Sequence, residues 1–502
     1  MAGRGLNSLG RRWHRQLDNA SGALLLFLVV FAPWGAGGTL FWSSWVLIGT
    51  GWVLGLLWVA KWAVCRWTGF QPVVWRRDGT VARWPVWGMG VLTGLVLIQV
   101  GVSLWNARAE VNWGTQGLEF LYRDSIAWLP TTYDLAATRK AFFRYLAFAA
   151  VFWAMRDWLR IKSRSERHRD EDGRAAEDVG RIPDRLRWLG WTLSVNAALM
   201  AMVGILHRLD GAKDLLWIVS LPMMNNPGMF GSYPYRANAA QFLNLIWPFS
   251  LGLWWALRVD GLRREPLGSR AGGQPYPLLL LLVTIMVGAV LIAGSRGGIA
   301  VTLLQMGVAL VILARSMKGW RPRLGMAVAF ITALALAWGL AGRFLERRFS
   351  NALVDESLSG RTEIYDLARR MAPDFPIWGS GAETFLSLNG LYRTGLAGKW
   401  HGYVHDDWLE TRVTLGWAGL GCVLGLLALA VLTRWRCGSL PVQRELEWLT
   451  WVGLIGILAH ARVDFPFQIP SLHLLFLVLG ALFTVVGPPM AGTSRGPSNR
   501  TS

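Results

Sequence analysis

Long apolar runs separated by short polar connections dominate this sequence. A helix that crosses a bilayer needs roughly 17 to 25 mostly apolar residues, and most of the runs reach that length. We place the spans at residues 21–38, 40–63, 84–105, 139–157, 187–207, 238–257, 276–294, 298–315, 324–342, 408–433, 447–463 and 471–487. The pattern predicts an all-α polytopic membrane protein with about twelve transmembrane helices.

Basic residues set the predicted orientation. They concentrate at the N-terminus and in every second connection, and such segments stay on the cytoplasmic side. Both termini are then cytoplasmic. The arginines at the start resemble a signal peptide, but no small-residue cleavage site precedes the next span, so we expect a retained first helix. Residues 156–187 mix both charge signs without an apolar period, which predicts a solvated cytoplasmic linker.

One large polar loop interrupts this alternation on the outer side, between spans nine and ten. The chain therefore divides into helices one to nine (1–342), the outer loop (343–407), helices ten to twelve (408–487) and a cytoplasmic tail (488–502). A loop of this length in a compact protein is usually functional or disordered. Residues 360–371 predict a short amphipathic helix stopped by Pro373, which favours function.

The amino-acid composition narrows the class of protein further. Only 16% of the residues are charged, against about 25% in a soluble domain, and 53% are hydrophobic. The net charge is +20, but the basic residues lie between apolar runs, so no nucleic-acid partner is predicted. The 31 tryptophans suit repeated contact with membrane lipid at the headgroup level. The three cysteines lack the spacing of a metal site, and no metal or cofactor is predicted.

Arg296 lies in a Gly-Ser-Arg-Gly-Gly segment between spans seven and eight. The glycines allow a ligand to approach the backbone, and a guanidinium can bind phosphate through two hydrogen bonds. Arg361, near the start of the predicted loop helix, offers a second cation where helix N–H groups already favour an anion. Each arginine alone also fits a plain surface role, Arg296 as a membrane-surface anchor and Arg361 as a solvated loop residue.

Two histidines precede the predicted tenth span, at His401 and His405. Gly402 argues against one continuous helix, so metal binding by this pair is disfavoured. A histidine at the interface is well suited to accept a proton from a hydroxyl group near neutral pH. One of three nearby acids, Asp406, Asp407 and Glu410, is expected to orient its ring or to stabilise the helix start.

Two further polar segments flank the outer surface. Arg236 and Asn238 stand at the opening of span six, and Asp464 stands near the outer end of span eleven. For Asn238 and Asp464, helix capping and hydrogen bonds between helices are as well supported as contact with a substrate.

These segments together resemble the O-antigen ligase and Wzy polymerase superfamily of bacterial envelope glycosyltransferases. The resemblance covers roughly residues 220–480. It is carried by five ordered motifs, FGSYPYRANAAQF, GSRGG, the pair SGRTEIY and GSGAETF, HDDWLE, and HARVDFPFQIPS. Two positions depart from the family pattern: Asp406 and Tyr235 each stand where the family usually has asparagine.

The resemblance implies roles for these residues. Arg296 and Arg361 would hold the diphosphate of an undecaprenyl-diphosphate-linked glycan donor, and His405 would be the base for, or would position, the acceptor hydroxyl. Arg236 and Asn238 would support the site. The reaction implied is a metal-independent, inverting transfer in the bacterial inner membrane, with the site facing the periplasm.

The acceptor stays open at this point. A ligase would use lipid A-core, a Wzy-type polymerase would use another lipid-linked glycan, and a protein O-oligosaccharyltransferase would use a protein hydroxyl. A transporter of lipid-linked sugars is an alternative of another class. Transporters usually carry ionisable residues inside their spans, and the predicted spans contain almost no acids at mid-depth.

Overall fold

The computed structural model of the chain describes residues 2–74, 84–114, 117–173, 181–220, 228–264, 275–326, 328, 357–393, 402–437 and 444–485. The long helices in these parts are α1 (Ala2–Trp34), α2 (Phe41–Thr68), α3 (Trp84–Trp105), α4 (Leu135–Arg160), α6 (Asp184–Leu209), α7 (Arg236–Arg264), α8 (Leu278–Ala293), α9 (Arg296–Ser316), α13 (Gly416–Cys437) and α14 (Arg444–His460). The shorter helices are α5 (Arg164–Glu171), α10 (Ser357–Met371), α11 (Phe385–Leu388), α12 (Asp407–Thr414) and α15 (Pro470–Ala481).

Among the described residues, seven helices are long and apolar enough to cross a membrane: α1, α2, α3, α6, α7, α9 and α13. They coincide with predicted spans one, two, three, five, six, eight and ten, so a multi-pass helical architecture is confirmed. Three other predicted spans fall on α8, α14 and α15, which have only 16, 17 and 12 residues. The fourth falls on α4, which carries buried and exposed charges along its length. The ninth lies almost entirely outside the described residues, and the total of twelve stays a prediction.

A β-hairpin corrects the all-α prediction. Strands β1 (Ala109–Gly114) and β2 (Gly117–Tyr122) pair antiparallel, with Val111 opposite Phe120. Apolar residues alternate with polar ones along β1, and the segment is too short to span a bilayer. The hairpin follows α3 on the side of the bundle that is predicted to face outward and is called outer below, so the loop between spans nine and ten is not the sole ordered element there.

Predicted span ten is also corrected, because a break divides it into α12 and α13. Gly416 adopts a φ of +67°, and a Cβ there would lie 2.1 Å from the carbonyl oxygen of Ile377. Only glycine fits so close to another backbone with φ positive. The short helix α12 therefore belongs to the outer assembly, and the apolar span begins at residue 416.

Part of the predicted linker, residues 156–187, is ordered. Ser163 and Glu166 form a reciprocal capping box at the start of α5, and Glu166 is buried. Residues 174–180 of that segment lie outside the described residues.

Helices α7, α9 and α14 pack closely and run together to the outer end of the bundle. Gly453 allows α14 to approach α7 so closely that a Cβ there would lie 2.6 Å from the carbonyl oxygen of Leu245. Asn244 donates to the carbonyl of Gly298 (2.8 Å) and accepts from Thr302 (2.6 Å). Small residues and buried amides of this kind hold membrane helices together. They fix the outer ends of α7, α9 and α14 relative to one another.

A separate small core organises the outer loops. It consists of the apolar face of α10 together with side chains from α11, α12 and the hairpin region. Ile364, Ala368 and Met371 are buried on one face of α10, which confirms the predicted amphipathic helix. The helix begins at or before Ser357, so Arg361 lies beyond its first turn and the expected help from helix N–H groups does not apply to it.

Candidate active site

His405 lies just before α12 and contacts the middle of α10 and the segment that follows α14. Its backbone has a φ of +59°, which is uncommon for a residue other than glycine. Its Nδ1 lies 3.3 Å from Oδ1 of Asp464, and its ring meets the edge of Phe465 with centroids 4.7 Å apart. The hydroxyl of Tyr365 on α10 donates to the His405 carbonyl (3.0 Å). His405 is therefore held by a carboxylate at its ring, by a hydroxyl at its backbone carbonyl and by a neighbouring aromatic side chain.

Asp464 is the carboxylate that orients this ring. It is 2% exposed, accepts from the backbone N–H of Phe465 (3.1 Å), and has its second oxygen 3.9 Å from Nε2 of His460. A carboxylate on Nδ1 favours the tautomer that carries its proton there. Nε2 of His405 is then the ring nitrogen that can accept a proton from a substrate.

The three acids expected to orient His405 bind elsewhere. Asp406 caps α12 by accepting from the N–H groups of residues 408 and 409, and it forms an ion pair with Arg462. Asp407 accepts from the N–H of Phe467 (2.8 Å), and Glu410 accepts from the N–H of Val404 (2.9 Å). The second half of the expectation, that an acid stabilises the helix start, is correct for Asp406.

Both predicted arginines lie next to the Asp464 segment. Arg361 donates from Nη1 to the carbonyl of Val463 (3.1 Å). Arg296 is the first residue of α9, after a reversal in which Gly294 has a φ of +67° and Ser295 caps the helix. The next residue, Gly297, approaches His460 so closely that a Cβ would lie 2.7 Å from its Nε2. Arg361 thus contacts the carbonyl that precedes Asp464, and the helix that begins at Arg296 packs against His460, four residues before Asp464.

The remaining predicted residues lie near this group. Arg236 begins α7, and the preceding Tyr235 stacks on Phe465 with centroids 5.8 Å apart. Asn238 is 2% exposed, and its Oδ1 has no hydrogen-bond partner among the described residues. His401 lies outside the described residues, so its pairing with His405 stays untested.

A comparison with known families concerns the middle of the chain. Residues 281–424 match the family model of O-antigen ligase. The chain is similar to that family over this segment, which is less than a third of its length. This confirms the superfamily that the sequence motifs resemble, and together with the apolar helices it indicates a multi-pass membrane protein of the glycosyltransferase type. No curated protein matches the chain.

The O-antigen ligase match includes Arg296, Arg361, His401 and His405, and also the three acids that follow His405. Asp464, which orients His405, comes from beyond the matched segment, 59 residues further along the chain. The matched segment therefore depends on the C-terminal helices for the geometry of His405.

Sequence reasoning missed two cations at this candidate site. Arg208, at the end of α6, donates to the carbonyl of Ala293 (3.3 Å) beside the Arg296 reversal. Arg462 pairs with Asp406. Arg462 lies between His460 and Asp464, which are four residues apart at the end of a helix. That spacing places the histidine and the aspartate close together, and it was the signal in the sequence that could have drawn attention to Arg462. Arg208 offered no such signal, because it contacts a segment far away in the chain.

A buried group of charges lies on the other side of Phe465. Arg144 on α4 forms an ion pair with Glu383 (2.6 Å), and both side chains are largely buried. Burial raises the pKa of Glu410 to about 8 and raises the pKa of Asp407 well above its usual range. The raised pKa values favour the protonated, uncharged form of these two carboxyls.

The described residues contain no group of three or more acidic, histidine or cysteine side chains that could hold a metal ion. A cavity of about 280 Å³ opens instead between α3, α4, α13 and α15. Its walls are apolar, with Phe148, Phe152 and Leu426 among them, and Asp407 and Gln468 line its polar part.

Proposed function

We propose that the protein transfers a glycan from undecaprenyl diphosphate to an acceptor hydroxyl on the periplasmic side of the inner membrane, as an O-antigen ligase acting on lipid A-core. The single observation that carries the proposal is the His405–Asp464 pair (3.3 Å) beside two arginines within the O-antigen ligase match. Both termini would then lie in the cytoplasm.

The reaction needs one proton acceptor and one site for a departing diphosphate. The acceptor oxygen attacks the anomeric carbon, and its proton passes to Nε2 of His405. The bond from the anomeric carbon to the diphosphate oxygen breaks, and the diphosphate keeps the electron pair. Attack opposite the leaving group inverts the anomeric centre. Arg296 and Arg361 stabilise the growing negative charge through hydrogen bonds roughly twice as strong as neutral ones.

The donor is already activated, so the protein's own residues suffice and no metal is required by the proposal. Asp464 holds the histidine in the tautomer that accepts the proton. Base catalysis of this kind contributes about 10²- to 10⁴-fold in rate. A transporter would not need a histidine held by a buried aspartate beside two arginines on one face.

The test is a gene deletion complemented with the natural protein, with His405→Ala, and with His168→Ala. His168 has a side chain that is 60% exposed and lies on α5, far from the site, which makes it a matched control. Lipid-linked and surface glycans are then profiled by size. We expect long glycan to accumulate on the carrier over a bare core in the deletion strain and with His405→Ala.

Other profiles would change or overturn the proposal. Single repeat units on carrier and core would identify a polymerase, and loss of protein-linked glycan alone would identify a protein O-oligosaccharyltransferase. Full complementation by His405→Ala at normal protein levels would remove the base from the mechanism. Movement of glycan across vesicles without a new glycosidic bond would identify a transporter.

A further inference from the structure

An aromatic stack extends the site away from the arginines. Phe465 stacks with two tyrosine rings, Tyr403 at 4.4 Å and 17° and Tyr235 at 5.8 Å and 5°. The edge of the stack meets His405, which is only two residues after Tyr403. Tyr403 remains 37% exposed, so the stack is open to a ligand on that side.

A fixed carboxylate stands near this aromatic surface. Glu383 has a φ of +61°, a second strained residue of the outer assembly, and its side chain is 20% exposed. Arg144, which is 4% exposed, holds it at 2.6 Å. The segments that carry Glu383 and Tyr403 are both held by α12, since the N–H of Gly381 donates to the carbonyl of Thr414 (3.0 Å) and the N–H of Val404 donates to Glu410 (2.9 Å). Burial, followed by the charges of Glu383 and Glu410, raises the pKa of Tyr403 to about 12. Strained residues held by their surroundings concentrate at functional sites.

The charges restrict what could bind there. Arg144 is already paired with Glu383, so a diphosphate would have to compete with that carboxylate for this cation. A polyprenyl chain would remove solvent from the exposed part of Glu383 and could not hydrogen-bond to its carboxylate. An uncharged sugar satisfies both features, since its C–H groups pack on an aromatic ring and its hydroxyls donate to a carboxylate.

We infer that Tyr403 and Glu383 form a subsite for an uncharged pyranose ring of the glycan, next to His405. The ring packs on Tyr403, and Glu383, positioned by Arg144, accepts hydrogen bonds from the sugar hydroxyls. The inference rests on the proposed glycan transfer, and it gives that site a sugar specificity separate from its diphosphate contacts.

The test uses the full-length protein in detergent and, as probe, oligosaccharide released by mild acid from the host's own lipid carrier. Saturation-transfer NMR reports binding, and a transfer assay with the lipid-linked glycan gives kcat and KM for donor and acceptor separately. We expect Tyr403→Ala to lose the saturation signal and to raise one KM by about tenfold, the substrate affected showing whether donor or acceptor occupies the subsite.

Two further variants keep the test decisive if Tyr403→Ala is unstable. Tyr403→Phe retains the ring and is expected to change KM by less than about threefold, while Glu383→Gln is expected to raise it by about fivefold. Tyr122→Ala is the matched control, because Tyr122 is 64% exposed on β2. It should leave both readouts unchanged.

His405→Ala separates the two hypotheses. It should abolish transfer and still bind the oligosaccharide. If the His405→Ala protein transfers glycan at the natural rate, the proposed function is wrong. Binding at Tyr403 is then judged from the NMR signal alone. If Tyr403→Ala and Glu383→Gln both keep the natural signal and KM, or if only kcat falls, the subsite is wrong and transfer through His405 is unaffected.

Discussion

Two buried groups of ionisable side chains lie at opposite ends of the bundle, and they differ in the ratio of acidic to basic residues. At the inner end, Asp18 binds Arg185 (2.5 Å) and Lys61 (3.4 Å), and Lys61 also binds Asp157 (2.5 Å). Two acids thus face two cations. At the outer end, Glu383, Glu410 and Asp407 share one cation, Arg144.

Backbone strain follows the same division. His405 and Glu383 have positive φ at the outer end, whereas none of the described non-glycine residues with positive φ belongs to the inner group. A balanced and relaxed network of ion pairs fits a purely structural role, and removing one partner from it is costly. Unbalanced charge and strain persist where binding or catalysis requires them. The inner group should therefore control stability, and the outer group should control activity.

The largest effect expected is on stability, from Arg185→Ala. It leaves Asp18 buried beside Lys61 alone, and breaking a buried pair in this way costs about 3 to 5 kcal/mol. Denaturant unfolding in detergent measures the loss, and activity per folded molecule should not change. Replacing both partners, with Arg185→Met and Asp18→Leu, should recover much of the stability. A single variant as stable as the natural protein would contradict a structural role.

Arg361→Ala and Arg296→Ala should lower activity and leave stability nearly unchanged, the opposite of the result expected for Arg185→Ala. Each removes a donor to the departing diphosphate and should lower kcat by about 10²- to 10³-fold, with little change in stability. Arg369→Ala is the matched control, since Arg369 lies on the same helix as Arg361 and its side chain is 58% exposed. Equal losses in Arg361→Ala and Arg369→Ala would show that the cause is the helix rather than the cation.

Asp464→Asn should have a smaller effect on activity. The amide can still accept at one atom, but it loses the charge that fixes the tautomer of His405, so we expect kcat to fall about 10- to 100-fold. Asp366→Asn, at a side chain that is 51% exposed on α10, serves as the control. Unchanged kcat in Asp464→Asn would assign the 3.3 Å pair to packing alone.

The smallest effect expected is a change in the pH dependence of stability. Burial raises the pKa of Glu410 from its ordinary 4.5 to about 8, so the folded chain binds this proton more tightly than the unfolded chain. The resulting stability is fully present below the lower value and is lost as pH rises through the higher one. Glu410→Gln keeps an oxygen that can accept from Val404, and its Tm should fall less between about pH 5 and pH 8. Glu363→Gln, on the exposed face of α10, should retain the natural slope.

Local patterns predicted much of this molecule. The apolar runs located the long helices, the glycines around Arg296 located the reversal before α9, and the apolar spacing in residues 360–371 located the buried face of α10. Each of these features depends on residues within a few positions of one another, and this is the range over which periodicity and turn chemistry act.

The unpredicted features depend on distant segments. Arg144 and Glu383 meet although 239 positions separate them, and Gly416 breaks a helix because the backbone at Ile377 passes against it. The ring partner of His405 is Asp464, not one of the acids beside it in sequence, because α12 turns those acids toward its own N-terminus and toward backbone N–H groups. No local pattern encodes such contacts.

The left-handed backbone at His405 also has an evolutionary consequence. That conformation costs a residue with a Cβ about 1 to 2 kcal/mol, and glycine avoids the cost. Selection for activity is then the force that keeps histidine here against a steady bias toward glycine. In a duplicated gene released from that selection, the fold itself would not retain histidine at this position.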